Sequence, residues 1–167
     1  GILEYSQLEK DKIELKLIDL NEIVLKITEN LELELQETEG KVEFSNLPSI
    51  SGNQLQIRQL FENLITNSLK YRQKDVPPFI EISYDEKNRD HIQITLKDNG
   101  IGFDNLYAAR IFDPFQRLDG DIKVLGSGLG LSICKKIMLG HLGEIKAEGE
   151  IGKGAKFVLT FPLKEER

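Results

Sequence analysis

Cysteine is nearly absent from this chain, and long hydrophobic runs are missing. Cys134 is the only cysteine among 167 residues, which excludes an internal disulfide and a metal site built on cysteines. Its helical spacing with Ile137 and Met138 predicts a buried, unreactive thiol. No apolar run approaches the length that spans a membrane, and no signal-peptide pattern opens the chain. We therefore expect a cytoplasmic protein with no direct membrane contact, although its parent could be anchored in a membrane.

Dense basic runs are also absent. The formal net charge is −6 and the pI is near 5.1, which argues against nucleic acid and anionic membrane surfaces as partners. Hydrophobic residues make up 40% and charged residues 30%, the balance of a folded domain of ordinary size. The chain opens with Gly1, and residues 1–9 read as the tail of a helix. We expect it to be part of a longer protein, with a domain at 10–167.

Hydrophobic periodicity predicts a mixed set of strands and helices. Asp19 ends a predicted strand and caps a helix over 20–37, with Glu22 completing a capping box and Gly40 ending the helix. We expect the remaining elements to be a strand at 42–44, an extended link at 48–52, a helix at 53–73, strands at 79–84 and 91–97, a helix at 128–139, and strands at 144–148 and 155–162. This order favours an α+β fold, in which one mixed, mostly antiparallel sheet packs on about three helices.

The helix at 53–73 carries a polar stripe on an otherwise apolar surface. Asn63, Asn67, Lys70 and Tyr71 lie three or four residues apart and share one face. An amide oxygen suits Mg²⁺, and a lysine one turn on suits the phosphates that carry the ion. The stripe predicts a nucleotide site, although asparagines that cap backbone groups or face water would also explain it.

Two glycine-rich segments are further candidates for a nucleotide site. Asp98 ends a strand and precedes Gly100, Ile101 and Gly102, so a fixed carboxylate could accept a hydrogen bond from the amine of adenine. A plain surface turn is the alternative. The second segment opens a helix, where free backbone amides favour phosphate oxygens; its residues are Gly126, Ser127, Gly128, Leu129, Gly130 and Leu131. It is neither a P-loop nor a convincing dinucleotide fingerprint.

The segment between these glycines has little periodicity, and long loops of this kind are often lids. It is rich in aromatic residues, including Phe112 and Phe115, which indicates packing onto the core or a partner surface. Its cations Arg110, Arg117 and Lys123 could reach phosphates. We predict an ATP lid over residues 103–127.

Taken in order, the asparagine helix, the Asp-x-Gly-x-Gly loop, the phenylalanine-rich lid and the Gly-x-Gly-x-Gly segment resemble the catalytic ATP-binding domain of sensor histidine kinases. That group belongs to a wider ATPase superfamily, often called GHKL, shared with gyrase, the heat-shock chaperone of ninety kilodaltons and MutL. The resemblance covers residues 10–163 and implies a Bergerat-type fold. It also implies that residues 1–9 are the end of the dimerisation and phosphoacceptor helix.

The resemblance implies a role for each motif residue. Asn67 would hold Mg²⁺, Asn63 would support the phosphates and water, Lys70 would touch the phosphates, and Tyr71 would line the cleft. Asp98 would bind the adenine amine, with Gly100, Ile101 and Gly102 shaping the pocket. Phe112 and Phe115 match the F box, Arg117 would approach the γ-phosphate, and Gly126, Ser127, Gly128, Leu129 and Gly130 would bind phosphates. Ser68 stands where the family often has alanine and Ser127 where it often has threonine, and we expect little effect of either.

The implied function is transfer of the γ-phosphoryl group of Mg–ATP to a histidine on an upstream dimerisation domain, then to an aspartate of a response regulator. Asn67, Lys70 and Arg117 are the predicted catalytic residues. His91 and His141 lack the context of a phosphoacceptor. We expect a homodimeric parent protein and a monomeric isolated chain. A degenerate nucleotide-binding scaffold and an ATP-hydrolysing clamp are the alternatives; Asn63 stands where the clamps have a catalytic glutamate.

Overall fold

The computed structural model describes residues 14–44, 46–86, 89–114 and 130–163. The strands are β1 (Lys16–Asp19), β2 (Lys41–Phe44), β3 (Ser49–Gly52), β4 (Phe79–Tyr84), β5 (His91–Asp98), β6 (Glu144–Glu150) and β7 (Gly154–Pro162). The helices are α1 (Leu20–Asn30), α2 (Glu32–Thr38), α3 (Gln54–Lys70) and α4 (Gly130–Gly140). Within these described residues, no helix has the length and apolar character needed to cross a membrane.

Five strands form one sheet in the order β2-β4-β5-β7-β6. The β2–β4 pair is parallel and the other pairs are antiparallel, which confirms the mixed, mostly antiparallel sheet. Along β5 the buried side chains of Ile94 and Leu96 alternate with Thr95 and the exposed Lys97. One face of the sheet is therefore apolar and covered by helices, and the fold has two layers.

Helix α3 is central to the helical layer because its apolar stripe is completely buried. Ile57, Leu60, Phe61, Leu64 and Ile65 have no exposed surface. Asn53 caps the helix by accepting a hydrogen bond from the Gln56 amide at 3.0 Å. The helix ends at Lys70, three residues before the predicted end.

Several predicted elements differ from the structure. The predicted helix at 20–37 is two helices, because the backbone at Leu31 turns out of helical geometry. The sequence placed the end of this helix at Gly40. Instead Glu39, one residue earlier and with φ of 55°, adopts the left-handed conformation that ends α2. Gly40 has a different role, because this position leaves little room for a side chain: a Cβ there would lie 2.8 Å from Pro78 Cγ. The total is four described helices rather than about three, and α2 supplies no buried residue.

The start of the fold also differs in detail. Asp19 caps α1 as predicted, but the amide it accepts from is that of Asn21, at 2.9 Å, rather than that of Glu22. The predicted link at 48–52 contains β3, which pairs with β1 in a separate two-stranded sheet. The strand predicted to end at Asp19 is β1, which begins at Lys16. Residues 1–13 lie outside the described part of the chain.

His141, a residue without a catalytic context in the sequence, joins α3 to the end of α4. Its Nδ1 lies 2.7 Å from the Ile137 carbonyl oxygen, and its Nε2 accepts a hydrogen bond from the Asn53 amide at 3.0 Å. A carbonyl only accepts, so Nδ1 carries the proton and the ring is neutral. Desolvation by burial lowers the pKa of His141, outweighing the bond to Ile137, which raises it.

We expect the free energy of unfolding to decrease as the pH falls below 6.5, the ordinary pKa of histidine. Because the folded pKa is depressed, the unfolded chain takes up this proton first, and the stability present above that pH is lost in acid. One proton contributes at most about 1.4 kcal/mol per pH unit. Urea unfolding between pH 7 and pH 5 measures the slope. His141→Gln should flatten it; a slope as steep in this variant as in the unaltered chain would contradict this role.

Candidate functional site

The carboxylate of Asp98 lies at the end of β5 and is fixed by three hydrogen bonds. Its Oδ1 accepts from the amides of Gly100, at 2.9 Å, and Ala155, at 3.1 Å. Its Oδ2 accepts from the hydroxyl of Ser68, at 2.7 Å. The residue is 9% exposed, so a charged acceptor is held almost out of solvent. A carboxylate accepts about four hydrogen bonds, so Oδ2 has one position that no described residue fills.

The loop that follows Asp98 is pressed against the end of α3. The Ile101 amide donates to the Tyr71 carbonyl at 2.8 Å. A Cβ on Gly100 would lie 2.6 Å from the same carbonyl oxygen, so a side chain does not fit there. Tyr71 and the loop residues Gly100 and Ile101, which were predicted from separate motifs, are therefore adjacent in the structure.

The same loop is packed against the turn between β6 and β7. Gly102 has φ of +68°, and a Cβ there would overlap the Glu150 carbonyl oxygen. The Gly152 amide donates to the Ile101 carbonyl at 2.7 Å. The turn at 151–153, which joins β6 and β7 as a hairpin, therefore lies against the Asp98 loop.

Gln73, which the sequence reasoning missed, fastens these segments together. Its side-chain amide lies 3.0 Å from the Asn99 carbonyl, 3.1 Å from the Gly100 carbonyl and 3.0 Å from the Gly152 carbonyl. A glutamine three residues after the end of a helix carries no pattern of its own. Only the fold brings its partners, up to 79 residues away, within reach.

The polar stripe of α3 ends at Tyr71, which contacts the Asp98 loop. Asn63, Asn67 and Tyr71 are half-buried and Lys70 is exposed. The Asn63 side chain donates to the carbonyl of Gly130, the first residue of α4, at 3.4 Å. Within the described part of the chain, the side-chain amide of Asn67 has no hydrogen-bond partner. Asn67 precedes Ser68, which contacts Asp98. The asparagine helix and the Asp98 loop, which were predicted as separate motifs, therefore lie in one region.

Ser68, for which we expected little effect, makes a contact that the sequence did not predict. It is 2% exposed, and its hydroxyl contacts the carboxylate predicted to read the base. The signal was available in part, because a serine interrupts the buried stripe between Ile65 and Leu69. Its partner, 30 residues away, was not predictable from local pattern.

The first part of the predicted lid is anchored in the core. Phe103, Ile111 and Phe112 are buried, and the Phe112 ring packs edge-on against Phe157 with centroids 6.4 Å apart. Arg110 is exposed. The other predicted lid and phosphate residues lie outside the described residues, and their roles stay predictions: Phe115, Arg117, Lys123, Gly126, Ser127, Gly128 and Leu129.

Cys134 is excluded as a nucleophile. Its thiol is completely buried, and burial raises its pKa far above the usual range. The described residues also contain no group of three or more histidine, cysteine or acidic side chains that could hold a metal ion. The residues that the structure brings together at this site are one buried carboxylate and the polar face of α3.

Comparisons with known proteins agree with this geometry. Residues 52–165 match the family model of histidine kinase-, DNA gyrase B- and HSP90-like ATPases. The chain is 36% identical over 162 residues to the phytochrome-like protein Cph1 of Synechocystis, covering 97% of this chain and 21% of that protein. It is 36% identical over 136 residues to the sensor histidine kinase WalK of Bacillus subtilis, covering 77% of this chain and 22% of WalK.

A solved structure shares the fold. Full-length ShkA in complex with AMPPNP superposes with a TM-score of 0.80 at 24% identity, covering 96% of this chain and 34% of ShkA. This likeness confirms the predicted α+β architecture. The chain spans about a fifth of the length of the curated relatives named above. On the match of its motifs, sequence and fold, the chain belongs to the family of histidine kinase-, DNA gyrase B- and HSP90-like ATPases.

Proposed function

We propose that the chain is the ATP-binding catalytic domain of a sensor histidine kinase and transfers the γ-phosphoryl group of Mg–ATP to a histidine on a dimerisation domain. The observation that carries this proposal is the Asp98 carboxylate, which keeps one acceptor position next to the polar face of α3. A 6-aminopurine supplies the matching donor. The sensor histidine kinases among its relatives, and the AMPPNP bound to ShkA, support the choice of ATP.

The described side chains fit Mg²⁺ bound through the nucleotide rather than in a protein cage. Mg²⁺ prefers oxygen ligands and keeps several waters, so one amide oxygen and the phosphates suffice. Asn67 presents a half-buried amide that bonds to no described residue, and Lys70 one turn on adds a positive charge for the phosphates. Bound Mg²⁺ would neutralise phosphate charge. Phosphoryl transfer depends mainly on positioning and charge neutralisation, so the chain needs no nucleophile of its own.

The partners follow from this chemistry as proposals. The acceptor histidine lies on the parent protein's own dimerisation domain, which makes the parent a homodimer. The phosphoryl group then passes to an aspartate of a response regulator; ThkA, a histidine kinase of the same fold, has been solved in complex with its response regulator TrrA. We place the reaction in the cytoplasm, where ATP is available.

An ATP-hydrolysing clamp is the main competitor. It needs a carboxylate base one turn before the metal-binding asparagine, and Asn63 occupies that position. The neighbouring Glu62 is exposed on the helix, away from the half-buried asparagines. This placement favours the kinase.

The test separates the three functions. Calorimetric titration of the chain with ATP, with and without Mg²⁺, should show tighter binding with the metal; binding that ignores Mg²⁺ would indicate a scaffold. The chain is then mixed with the parent protein's dimerisation helices and γ-labelled ATP. Acid-labile label on the acceptor histidine is the expected result. Release of free phosphate without labelled histidine would indicate a clamp and overturn the proposal.

A further inference from the structure

Ser68 differs from three threonines of the described helices in where its hydroxyl donates. The hydroxyls of Thr28, Thr38 and Thr66 each donate at 2.8 Å to a carbonyl three or four residues earlier in the same helix. Such back-bonding is the usual arrangement for hydroxyls inside helices. Ser68 instead donates across the layer to Asp98 Oδ2 at 2.7 Å. The hydroxyl therefore acts on the carboxylate and not on its own helix.

The two carboxylate oxygens of Asp98 accept hydrogen bonds from different donors. Oδ1 accepts two backbone amides, from Gly100 and Ala155, which fills its usual capacity. Oδ2 accepts one bond, from Ser68, and can take one more. A purine amine that reaches Asp98 must then donate to Oδ2, the oxygen that Ser68 already holds.

We propose that Ser68 is a positioning residue for purine recognition, because its hydroxyl fixes the one carboxylate oxygen that receives the 6-amino group. This rests on the proposed function of the site. Oδ1 is positioned by the two backbone amides, but the carboxylate rotates easily about its terminal side-chain torsion. The bond from a hydroxyl on α3 fixes that rotation and leaves the second lone pair of Oδ2 directed at the base.

The test compares two nucleotides in one variant. ATP has the 6-amino group, and purine riboside triphosphate has hydrogen in its place. In Ser68→Ala we expect the affinity for Mg–ATP to fall about tenfold, the typical effect of a hydrogen bond to a charged group. The affinity for purine riboside triphosphate should stay within about twofold, because this nucleotide makes no bond to Oδ2. The preference for ATP should therefore shrink in Ser68→Ala.

Thr66→Ala is the matched control, since it removes a hydroxyl from the same helix that does not face Asp98. It should leave the ratio of the two affinities unchanged. Alanine is a better helix former than serine, so Ser68→Ala should keep α3 intact. If it does not fold, Ser68→Cys carries the test, because a thiol is a weak donor and should give an intermediate ratio.

The outcomes distinguish the inference from the function beneath it. If the unaltered chain binds neither nucleotide, the proposed function is wrong. If it prefers ATP and Ser68→Ala keeps that preference undiminished, the function stands and the role of Ser68 is overturned. A loss of equal size for both nucleotides would show that Ser68 merely supports the helix, and would also overturn the inference.

Discussion

Asp98→Asn is expected to lower the affinity for Mg–ATP by about 100-fold or more while the fold is retained, since tenfold corresponds to about 1.4 kcal/mol. The amide oxygen of the new side chain must replace Oδ1, because that position faces the amides of Gly100 and Ala155. The NH₂ group then replaces Oδ2. The Ser68 hydroxyl can rotate to accept from it, so the interior stays satisfied. The purine amine meets a donor instead of an acceptor.

Calorimetry and a thermal unfolding scan measure the two parts of this prediction. Asp104→Asn is the control: Asp104 is an exposed carboxylate that caps the Leu106 amide at 3.0 Å in the segment after the same loop. It should bind nucleotide as the unaltered chain does. Normal ATP affinity in Asp98→Asn would mean that another group reads the base, and the proposed pocket would be in the wrong place.

Asn67→Ala is expected to abolish the dependence of nucleotide binding on Mg²⁺ and to reduce phosphoryl transfer by at least about 100-fold. The substitution removes the amide oxygen proposed for Mg²⁺, and no other described side chain replaces it. The helix itself should not suffer, because alanine has the higher helix propensity and the Asn67 side chain bonds to no described residue.

Titration with ATP in the presence and absence of Mg²⁺ gives the first readout, and labelling of the acceptor histidine gives the second. Asn30→Ala, at the exposed last residue of α1, is a comparison substitution of the same type on a helix. It should change neither readout. Metal-dependent binding that persists in Asn67→Ala would remove Asn67 from the proposed metal site.

The sequence predicts well the elements that have a hydrophobic repeat or a strong local signal. The apolar stripe of α3 repeats at helical spacing over four turns, and Asp98 ends an alternating strand. Both were placed correctly. The antiparallel pairing of β6 and β7 followed from their short glycine turn, Gly152 to Gly154.

The parts that the sequence did not predict depend on partners far along the chain. Gln73 and Ser68 are ordinary residues until the fold places carbonyl groups and a carboxylate beside them. The break at Leu31 and the left-handed Glu39 were not predicted either, since neither residue is the usual helix terminator. β3 is four residues long, too short for its alternation to be read.

Hydrogen bonds hold the Asp98 loop against the β6–β7 hairpin, and they determine when the proposed purine site can form during synthesis of the chain. The donors to the Asp98 carboxylate lie far apart in the sequence: Ser68 in α3 and Ala155 in β7. On a ribosome, α3 and β5 emerge first, but the carboxylate lacks its second backbone donor until β7 follows. A nascent chain that stops before β7 already carries the asparagines of α3 but lacks the Ala155 amide, so the proposed purine site is complete only once the whole domain has been made.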